Sequence, residues 1–442
     1  MAEPIASLSA MELECIPRTC IKPGLDDAVQ TTVMDTTNPT PSLSLSRRRA
    51  HIQFTALWWN KFLKGWNDGS NGALLPRMQT VYNVNYAVVS LIFIMACVGF
   101  VIGALINVPL MDRIGFGKVL VVGALCQAAM YALQAAALPF PVFVTTFAIN
   151  GIGMALQDAQ VTSYVASLRN NSQLKMMILQ VGYGGGALTA PLVATQFAQM
   201  EHWSFFYLLS LGIAISNTTV LSSIFRFNTL DVCFAEIGEP QQEHTSRNDD
   251  SKFRQLLRTR TVHLLGLFSL VYVGTEVTIG GWIVTFIQRV REGGPSSGYI
   301  SSGFFAGLTI GPLVLLWVTE KLGNHPAFYL YSVIAIGLEL VIWFVPSLIA
   351  DGVAVALVGL VLGPTYPLLM SHAGRVLPQW LLSGAVGWIA GLGQAGSALF
   401  PFMTGAVANA AGIDTMPPLL VGFLGLSVGL WALVPKGPRR AD

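Results

Sequence analysis

Apolar segments of about 20 residues recur along the chain and are separated by short polar stretches. A helix needs about 20 consecutive, mostly apolar residues to cross the hydrocarbon core of a bilayer. Twelve segments of the 442-residue chain meet this condition, and they predict an all-α, polytopic membrane protein. The predicted transmembrane helices are 52–77, 84–110, 117–138, 141–164, 176–198, 203–226, 261–288, 297–319, 327–346, 350–371, 380–406 and 416–435.

Longer polar stretches divide these helices into two groups of six. The first 50 residues are rich in Ser, Thr and Pro, and such a composition buries too little apolar surface to become ordered. The predicted organisation is a disordered N-terminal tail at 1–51, a six-helix bundle at 52–226, a linker at 227–260, a second six-helix bundle at 261–436 and a C-terminal tail at 437–442.

Composition agrees with a chain that lies mostly in lipid. Hydrophobic residues make up 53% of the sequence and charged residues 11%, whereas soluble domains have about 25% charged residues. The net charge of +2 gives no reason to expect a nucleic-acid partner. The five cysteines form no CxxC pattern, and we predict no metal site.

The positions of the basic residues predict the orientation in the membrane. If both termini are cytoplasmic, twenty of the 25 Lys and Arg residues lie on the cytoplasmic side and three on the other side. Loops rich in Lys and Arg remain in the cytoplasm during membrane insertion. We therefore predict a multi-pass protein of the cell membrane with cytoplasmic termini.

The two halves of the chain are related in sequence at a shift of 208 residues. Secondary transporters are commonly built from such repeats, with the substrate site between the halves near the bilayer midplane. The repeat predicts two pseudo-symmetric six-helix bundles. The matched positions are Gly99 and Gly307, Gly103 and Gly311, Asp112 and Glu320, Arg113 and Lys321, and Gly115 and Gly323.

Several segments resemble known transporters. The segment 110–118, LMDRIGFGK, resembles the signature between the second and third helices of the major facilitator superfamily. The segments 65–77 (GWNDGSNGALLPR), 157–160 (QDAQ) and 280–283 (GGWI) look like fungal permeases related to the fucose–proton symporter branch. The resemblance covers roughly residues 52–436. It implies the major facilitator fold and a proton-coupled carrier that works by alternating access.

The resemblance also implies roles for particular residues. Gating would involve the acid–base pairs of the two related loops, which are Asp112 and Arg113, and Glu320 and Lys321. In the symporter, carboxylates on the first and fourth helices carry protons and bind sugar. The positions aligned with them are Gly72 and Gln157, beside the acids Asp68 and Asp158. Fucose specificity is therefore not expected.

Four acids fall inside the predicted helices: Asp68, Asp158, Glu276 and Glu339. A charge at mid-bilayer costs at least about 2.5–3.5 kcal/mol, so such acids usually face a cavity and have a function. Asp68 and Glu276 are 208 residues apart, at equivalent sites on helices that the family places across the cavity. Burial raises the pKa of a carboxyl group toward neutrality, which suits it to take up and release a proton.

Structural alternatives exist for each charged group. Lys64 lies one turn before Asp68, and the two are either part of the coupling site or a structural ion pair. Asp158 serves as the acid of the fourth helix or caps a polar packing contact. Glu339, on the ninth helix, is interpreted as a snorkelling or packing residue.

Polar and aromatic residues on the helices that line the cavity complete the predicted site. Each of them alone is equally well explained by a hydrogen bond between helices. Together they predict a chamber for a sugar-sized or metabolite-sized polar solute. They are Asn71, Asn150, Gln157, Gln180, Tyr183, Trp282 and Gln394.

The predicted function is secondary active transport of a small organic solute by a monomer, driven by a proton gradient without a cofactor. One alternative is an efflux carrier, a proton antiporter that exports a fungal secondary metabolite. A second alternative is a membrane sensor that does not transport. No G-x-x-x-x-G-K-[ST] motif occurs, which argues against an ATP-driven pump with its own nucleotide domain, and no enzyme motif is found.

Overall fold

The computed structural model of the protein describes residues 43–168, 172–238 and 258–435. This part of the chain contains helices and no strands, and its long helices match the twelve predicted segments. The first half consists of α1 (Leu43–Tyr82), α2 (Leu91–Ile114), α3 (Phe116–Ala135), α4 (Phe140–Ala166), α5 (Ser172–Ala198) and α6 (Phe206–Phe225). The second half consists of α7 (Arg260–Val290), α8 (Gly298–Val314 and Leu316–Leu322), α9 (Asn324–Phe344), α10 (Leu348–Leu362 and Thr365–Val376), α11 (Gln379–Ala411) and α12 (Met416–Leu433).

Length and apolar composition support a membrane-spanning fold. Of the described helices, nine are long and apolar enough to cross a membrane, and the bent α8 makes ten. The two segments of α8 meet at 51°, close after Pro312. A proline inside a helix removes a hydrogen bond and bends the axis, which explains the break. The remaining two, α1 and α11, are long helices that carry more polar residues and glycine.

The start of α1 differs from the prediction. The helix begins at Leu43, nine residues before the predicted boundary at 52. A short helix within the predicted linker, Leu230–Ile237, holds this first part. Arg49 and Gln53 both donate hydrogen bonds of 3.2 Å to Oε2 of Glu236, so the helix is stabilised by contacts that the tail sequence alone does not show. The other residues of the predicted tails and linker, 1–42, 239–257 and 436–442, lie outside the described residues.

Close helix contacts repeat between the two halves. A Cβ at Gly99 would lie 1.8 Å from the carbonyl oxygen of Ala148, and one at Gly307 would lie 2.2 Å from that of Ala356. Ala148 and Ala356 are also 208 residues apart, so α2 packs on α4 as α8 packs on α10. Only glycine permits backbones to approach this closely.

The loop glycines of the repeat adopt the same backbone conformation. Gly115 ends α2 with φ +82° and ψ 166°, and Gly323 ends α8 with φ +80° and ψ 161°. A positive φ is easily reached by glycine and disfavoured for other residues. Together with the matched helix contacts, this confirms the two pseudo-symmetric six-helix bundles.

The two halves touch backbone to backbone at Gly72 of α1 and Gly280 of α7. A Cβ on Gly72 would lie 1.9 Å from the carbonyl oxygen of Gly280. These glycines are equivalent in the repeat, so the contact lies where the two halves meet symmetrically. We call the end of the bundle at which α1 and α7 begin the linker end, and the opposite end the far end.

Other contacts between the halves lie between the middle of the helices and the far end. The Cys97 thiol on α2 donates a hydrogen bond of 3.4 Å to the carbonyl oxygen of Gln394 on α11. Gln196 on α5 donates to the hydroxyl of Tyr299 on α8. The halves are therefore closed against each other at the far end.

Candidate functional site

The polar face of α1 forms the base of the site. Gly65 and Gly69 face α5, where a Cβ would lie 1.8 Å and 2.4 Å from the carbonyl oxygens of Tyr183 and Ala187. Gly72 faces α7. Because glycines pack these faces of α1 against its neighbours, its polar side chains occupy the remaining face. They are Asn60, Lys61, Lys64, Asn67, Asp68 and Asn71.

Asp68 accepts hydrogen bonds with both carboxylate oxygens. The Tyr183 hydroxyl on α5 donates to Oδ2 at 3.1 Å, and the Asn67 amide donates to Oδ1 at 3.2 Å. Two sequence-predicted residues, Asp68 and Tyr183, are thus in direct contact. Asp68 retains partial exposure although it lies in the middle of a transmembrane helix.

Glu276 lies opposite Asp68, across the boundary between the halves. Each acid is one turn before a glycine of the Gly72–Gly280 contact, on its linker-end side. Glu276 is close enough to Asp68 and to Tyr183 to interact with both electrostatically. Like Asp68, it is partly exposed. Because the far end is closed, the two carboxyl groups are reached from the linker end.

Lys64 forms its ion pair with Asp158 on α4, and it also interacts electrostatically with Asp68, one turn away on α1. Its Nζ lies 3.0 Å from Oδ2 of Asp158, and Lys61 binds the other oxygen, Oδ1. The three side chains are only 11–23% exposed. Asp158 therefore holds two lysines of α1 in an ion-pair cluster beside the chamber.

The predicted residue Gln157 on α4 makes its hydrogen bonds inside the first half. Gln157 is 2% exposed and bridges its neighbours: its Oε1 accepts from Asn60 and from Asn217, and its Nε2 donates to Gln127. All of these partners belong to the first half. These contacts are hydrogen bonds between helices, which was the alternative to a solute contact for this residue.

Asn150 on α4 reaches toward the chamber acid through Asn67. Its Nδ2 donates to Oδ1 of Asn67 at 2.8 Å, and the Tyr131 hydroxyl on α3 donates to the same oxygen at 3.1 Å. The two donors orient the Asn67 amide so that its NH₂ group points to Asp68. Asn150 thus acts on Asp68 through the orientation of the Asn67 amide.

The remaining polar candidates occupy different surroundings. Trp282 is fully buried; its Nε1 donates to the carbonyl oxygen of Pro401 at 2.9 Å and its ring packs on Tyr86, so it closes the far end. Gln394 is partly exposed at the half-to-half contact with Cys97. Asn71 is partly exposed one turn beyond Asp68, and Gln180 is exposed on α5.

The predicted gating residues lie at the linker end, in the last turns of α2 and α8. Asp112, Arg113, Glu320 and Lys321 are all exposed. Lys321 lies over the ring of Trp317 at 3.9 Å, and none of the four takes part in the ion pairs found among the described residues.

Three residues of the site were missed by the sequence analysis. Asn67 connects α1, α3 and α4, and Tyr272 lies one turn before Glu276 and interacts with it electrostatically. Tyr366 on α10 interacts electrostatically with Glu276 and with Asp158 of the other half. For Asn67 and Tyr272 the sequence did offer a signal: each is a polar residue next to an acid within a predicted helix, or one turn before it.

No group of three or more His, Cys, Asp or Glu side chains within 43–168, 172–238 and 258–435 is arranged to hold a metal ion. The chemical groups of the site are carboxyls, hydroxyls, amides and ammonium groups. Such groups bind polar solutes and exchange protons.

Two six-helix halves that enclose acids and polar groups inside the membrane define a multi-pass carrier fold. The sequence model of the Major Facilitator Superfamily matches residues 57–401. The chain belongs to this superfamily of membrane transporters.

Comparison with known proteins gives relatives along most of the chain. "Bypass of stop codon protein 6" of Saccharomyces cerevisiae is 28% identical over 397 residues, covering 84% of this chain and 80% of the yeast protein. A glucose/galactose transporter of Brucella abortus is 24% identical over 409 residues, covering 86% and 94%. The crystal structure of a D-xylose–proton symporter matches with a TM-score of 0.70 at 12% identity, covering 88% and 98%, and shows the same fold.

Proposed function

We propose that the protein is a proton-coupled secondary transporter of a small polar organic solute and that it works by alternating access. The observation that carries the proposal is the position of Asp68 and Glu276. They face each other from equivalent sites of the two halves, directly beside the Gly72–Gly280 contact. Any change in their charge acts where the two halves meet.

The physical basis is the repulsion between two carboxylates in a chamber of low dielectric. Electrostatic interactions are several times stronger there than in bulk water. Binding of a proton or of a solute that donates hydrogen bonds reduces this repulsion and allows the halves to rearrange. A ligand shifts such an equilibrium only by its difference in affinity for the two states, and these acids provide that difference.

The proposed solute carries several hydroxyl groups. On α1 the chamber offers acceptors on Asp68 and both donors and acceptors on Asn71, while α5 adds the hydroxyl of Tyr183. Alternating donors and acceptors suit a sugar or a similar polyol. The glucose/galactose transporter and the D-xylose–proton symporter are named for sugars, which supports this class and the proposed kinship with the fucose–proton branch.

We place the linker end in the cytoplasm of the cell and the protein in its plasma membrane. Basic residues such as Arg113, Lys118 and Lys321 lie at this end, in the helix turns that border the short loops. The positive-inside rule assigns such loops to the cytoplasm. The described state is then open to the cytoplasm, and the direction of net transport follows the proton and solute gradients. Export of a metabolite by proton antiport uses the same chamber.

The test is solute accumulation in proteoliposomes with an imposed proton gradient and a panel of sugars and secondary metabolites, assayed in both directions. We expect gradient-driven accumulation by the wild type and its loss in Asp68→Asn and Glu276→Gln. Glu201→Gln, at an exposed acid in the loop between α5 and α6, is the matched control and should transport like the wild type. Normal accumulation by both chamber variants would refute the assigned coupling groups.

A further inference from the structure

A second group of charged side chains lies outside the chamber, at the far end of the second half. Arg291 follows the last residue of α7. Its Nε donates to Oδ2 of Asp351 on α10 at 2.8 Å, and its Nη2 donates to the carbonyl oxygen of Ile342 on α9 at 2.5 Å. The Asp351 side chain is fully buried and that of Arg291 is 11% exposed. This contact ties the far ends of three helices together.

Glu339 lies one turn before Ile342 on α9 and adds another acid to this group. It is 1% exposed, and neither of its carboxyl oxygens has a hydrogen-bond partner. Oδ1 of Asp351 also lacks a partner, and the two acids are close enough to interact electrostatically. A residue at a lipid-facing or snorkelling position would be exposed, so Glu339 does not fit that interpretation.

The charges near Glu339 do not balance if it is ionised. Asp351 faces it from α10, and Arg291 is already engaged by Asp351. The packed helix α12 has no charged residue. His372 and Arg375 of α10, and Glu320 and Lys321 of α8, lie toward the linker end of the helices packed on α9. An unpaired buried charge costs several kcal/mol, and the described residues around Glu339 offer it no cation besides Arg291.

We propose that Glu339 binds a proton and forms a protonated carboxyl group beside the Asp351–Arg291 ion pair. The neutral carboxyl adds one O–H donor, and Oδ1 of Asp351 is the nearby acceptor without a partner. This proton site is separate from the chamber acids Asp68 and Glu276 and does not depend on the proposed transport function.

The site acts on the part of α7 that closes the far end. Arg291 anchors the end of α7, and Gly280, Gly281 and Trp282 make the contacts between the halves two to three turns earlier. Ionised Glu339 would repel Asp351 and draw Arg291 away from it. Loss of the proton therefore weakens the anchor of this helix.

The sign of the pH dependence follows from the number of bound protons. Above about pH 4.3 an unfolded chain releases the glutamate proton, whereas the folded protein retains the proton on Glu339. Where the folded state binds more protons than the unfolded state, stability falls as pH rises. The wild type should become less stable from mildly acidic to alkaline pH.

The first test is thermal unfolding of the full chain in lipid nanodiscs, followed by tryptophan fluorescence from about pH 5 to about pH 9. We expect Glu339→Gln, which keeps the neutral shape, to remove a decrease of about 2 °C per pH unit that the wild type shows. Glu320→Gln, at an exposed glutamate of the same half, is the matched control and should keep it. An unchanged decrease in Glu339→Gln overturns the proposal.

The second test is infrared spectroscopy of the same samples at neutral pH. The wild type should show the C=O band of a protonated carboxyl group, and Glu339→Gln should lack it. Loss of a carboxylate band instead overturns the proposal. If neither Glu339→Gln nor Glu339→Met folds while the wild type does, the fold needs a charged Glu339, and the proposal is equally refuted.

Discussion

Asp68 and Asp158 are acids on the neighbouring helices α1 and α4, yet their surroundings differ. Asp158 forms ion pairs with Lys61 and Lys64, while Asp68 accepts hydrogen bonds from neutral donors, faces Glu276 and interacts with Lys64 without an ion pair. Two neighbouring cations favour the ionised form of a carboxylate, so such a group is not expected to exchange a proton during transport. A carboxylate with neutral donors and a facing acid is sensitive to proton binding, which is why the proposal assigns coupling to Asp68.

The charge balance of this cluster predicts that substitution of the acid costs more stability than substitution of one lysine. Asp158→Asn leaves two lysines without a counter-ion in a mostly buried place, and we expect a loss of about 2–4 kcal/mol in the free energy of unfolding. Lys61→Met leaves the Asp158–Lys64 pair intact and keeps the volume, so we expect less than about 1 kcal/mol. Denaturation of both variants in detergent measures the difference. Equal losses would mean that the cluster is not held together by charge.

At the scale of the helices, glycines determine which faces meet. Gly65 and Gly69 bring α1 against α5, and the Gly72–Gly280 contact brings it against α7. A side chain at Gly72 would meet the backbone of α7, which cannot rotate away as a side chain can. The close approach of α1 to α7 therefore depends on the absence of a side chain at Gly72.

Gly72→Val should prevent closure of the far end. The added atoms would lie within 1.9 Å of a carbonyl oxygen, so α1 and α7 must separate. We expect the variant to insert in the membrane but to lose at least about tenfold in transport rate, which corresponds to about 1.4 kcal/mol. The control is Gly337→Val on α9, where nothing lies within 4 Å of an added Cβ. Wild-type transport by Gly72→Val would contradict the assigned contact.

The helices and their repeat were predictable from the sequence, whereas several side-chain partners were not. The apolar segments determined the spans, and the 208-residue shift placed Asp68 and Glu276 at equivalent sites. On a lone helix, Lys64 lies one turn from Asp68. The glycine contacts of α1 rotate it so that the long Lys64 side chain reaches Asp158 on α4. Such pairings depend on helix docking and are absent from the sequence of either helix.

Gln157 is a second residue whose partners could not be predicted from the sequence. It aligns with an acid of the fucose–proton symporter, yet it contacts Asn60, Gln127 and Asn217 inside the first half. The face of α4 that carries Gln157 is decided by the glycine contacts of α2 and α3 with that helix, such as Gly123 with Gly153. Only the assembled bundle reveals that the position is buried.

At the scale of the molecule, the proposed mechanism makes the contacts between the two halves one of two alternating states. The halves meet from the middle of the helices, where Gly184 of α5 lies against Thr309 of α8 and Gly72 of α1 against Gly280 of α7, to the far end. Rigid-body rocking of two such halves about a central site is the known basis of alternating access. The other state requires the far end to open as the linker end closes.

Two distances measured by spin labelling in lipid nanodiscs test this central claim most directly. In a cysteine-free background, one pair of labels replaces Gln199 and Ser296 at the far ends of α5 and α8, and another replaces Leu174 and Leu322 at their linker ends; all four residues are exposed. On acidification with a transported solute, we predict that the far-end distance lengthens while the linker-end distance shortens. Distances that stay fixed, or that change in the same direction, would contradict the account.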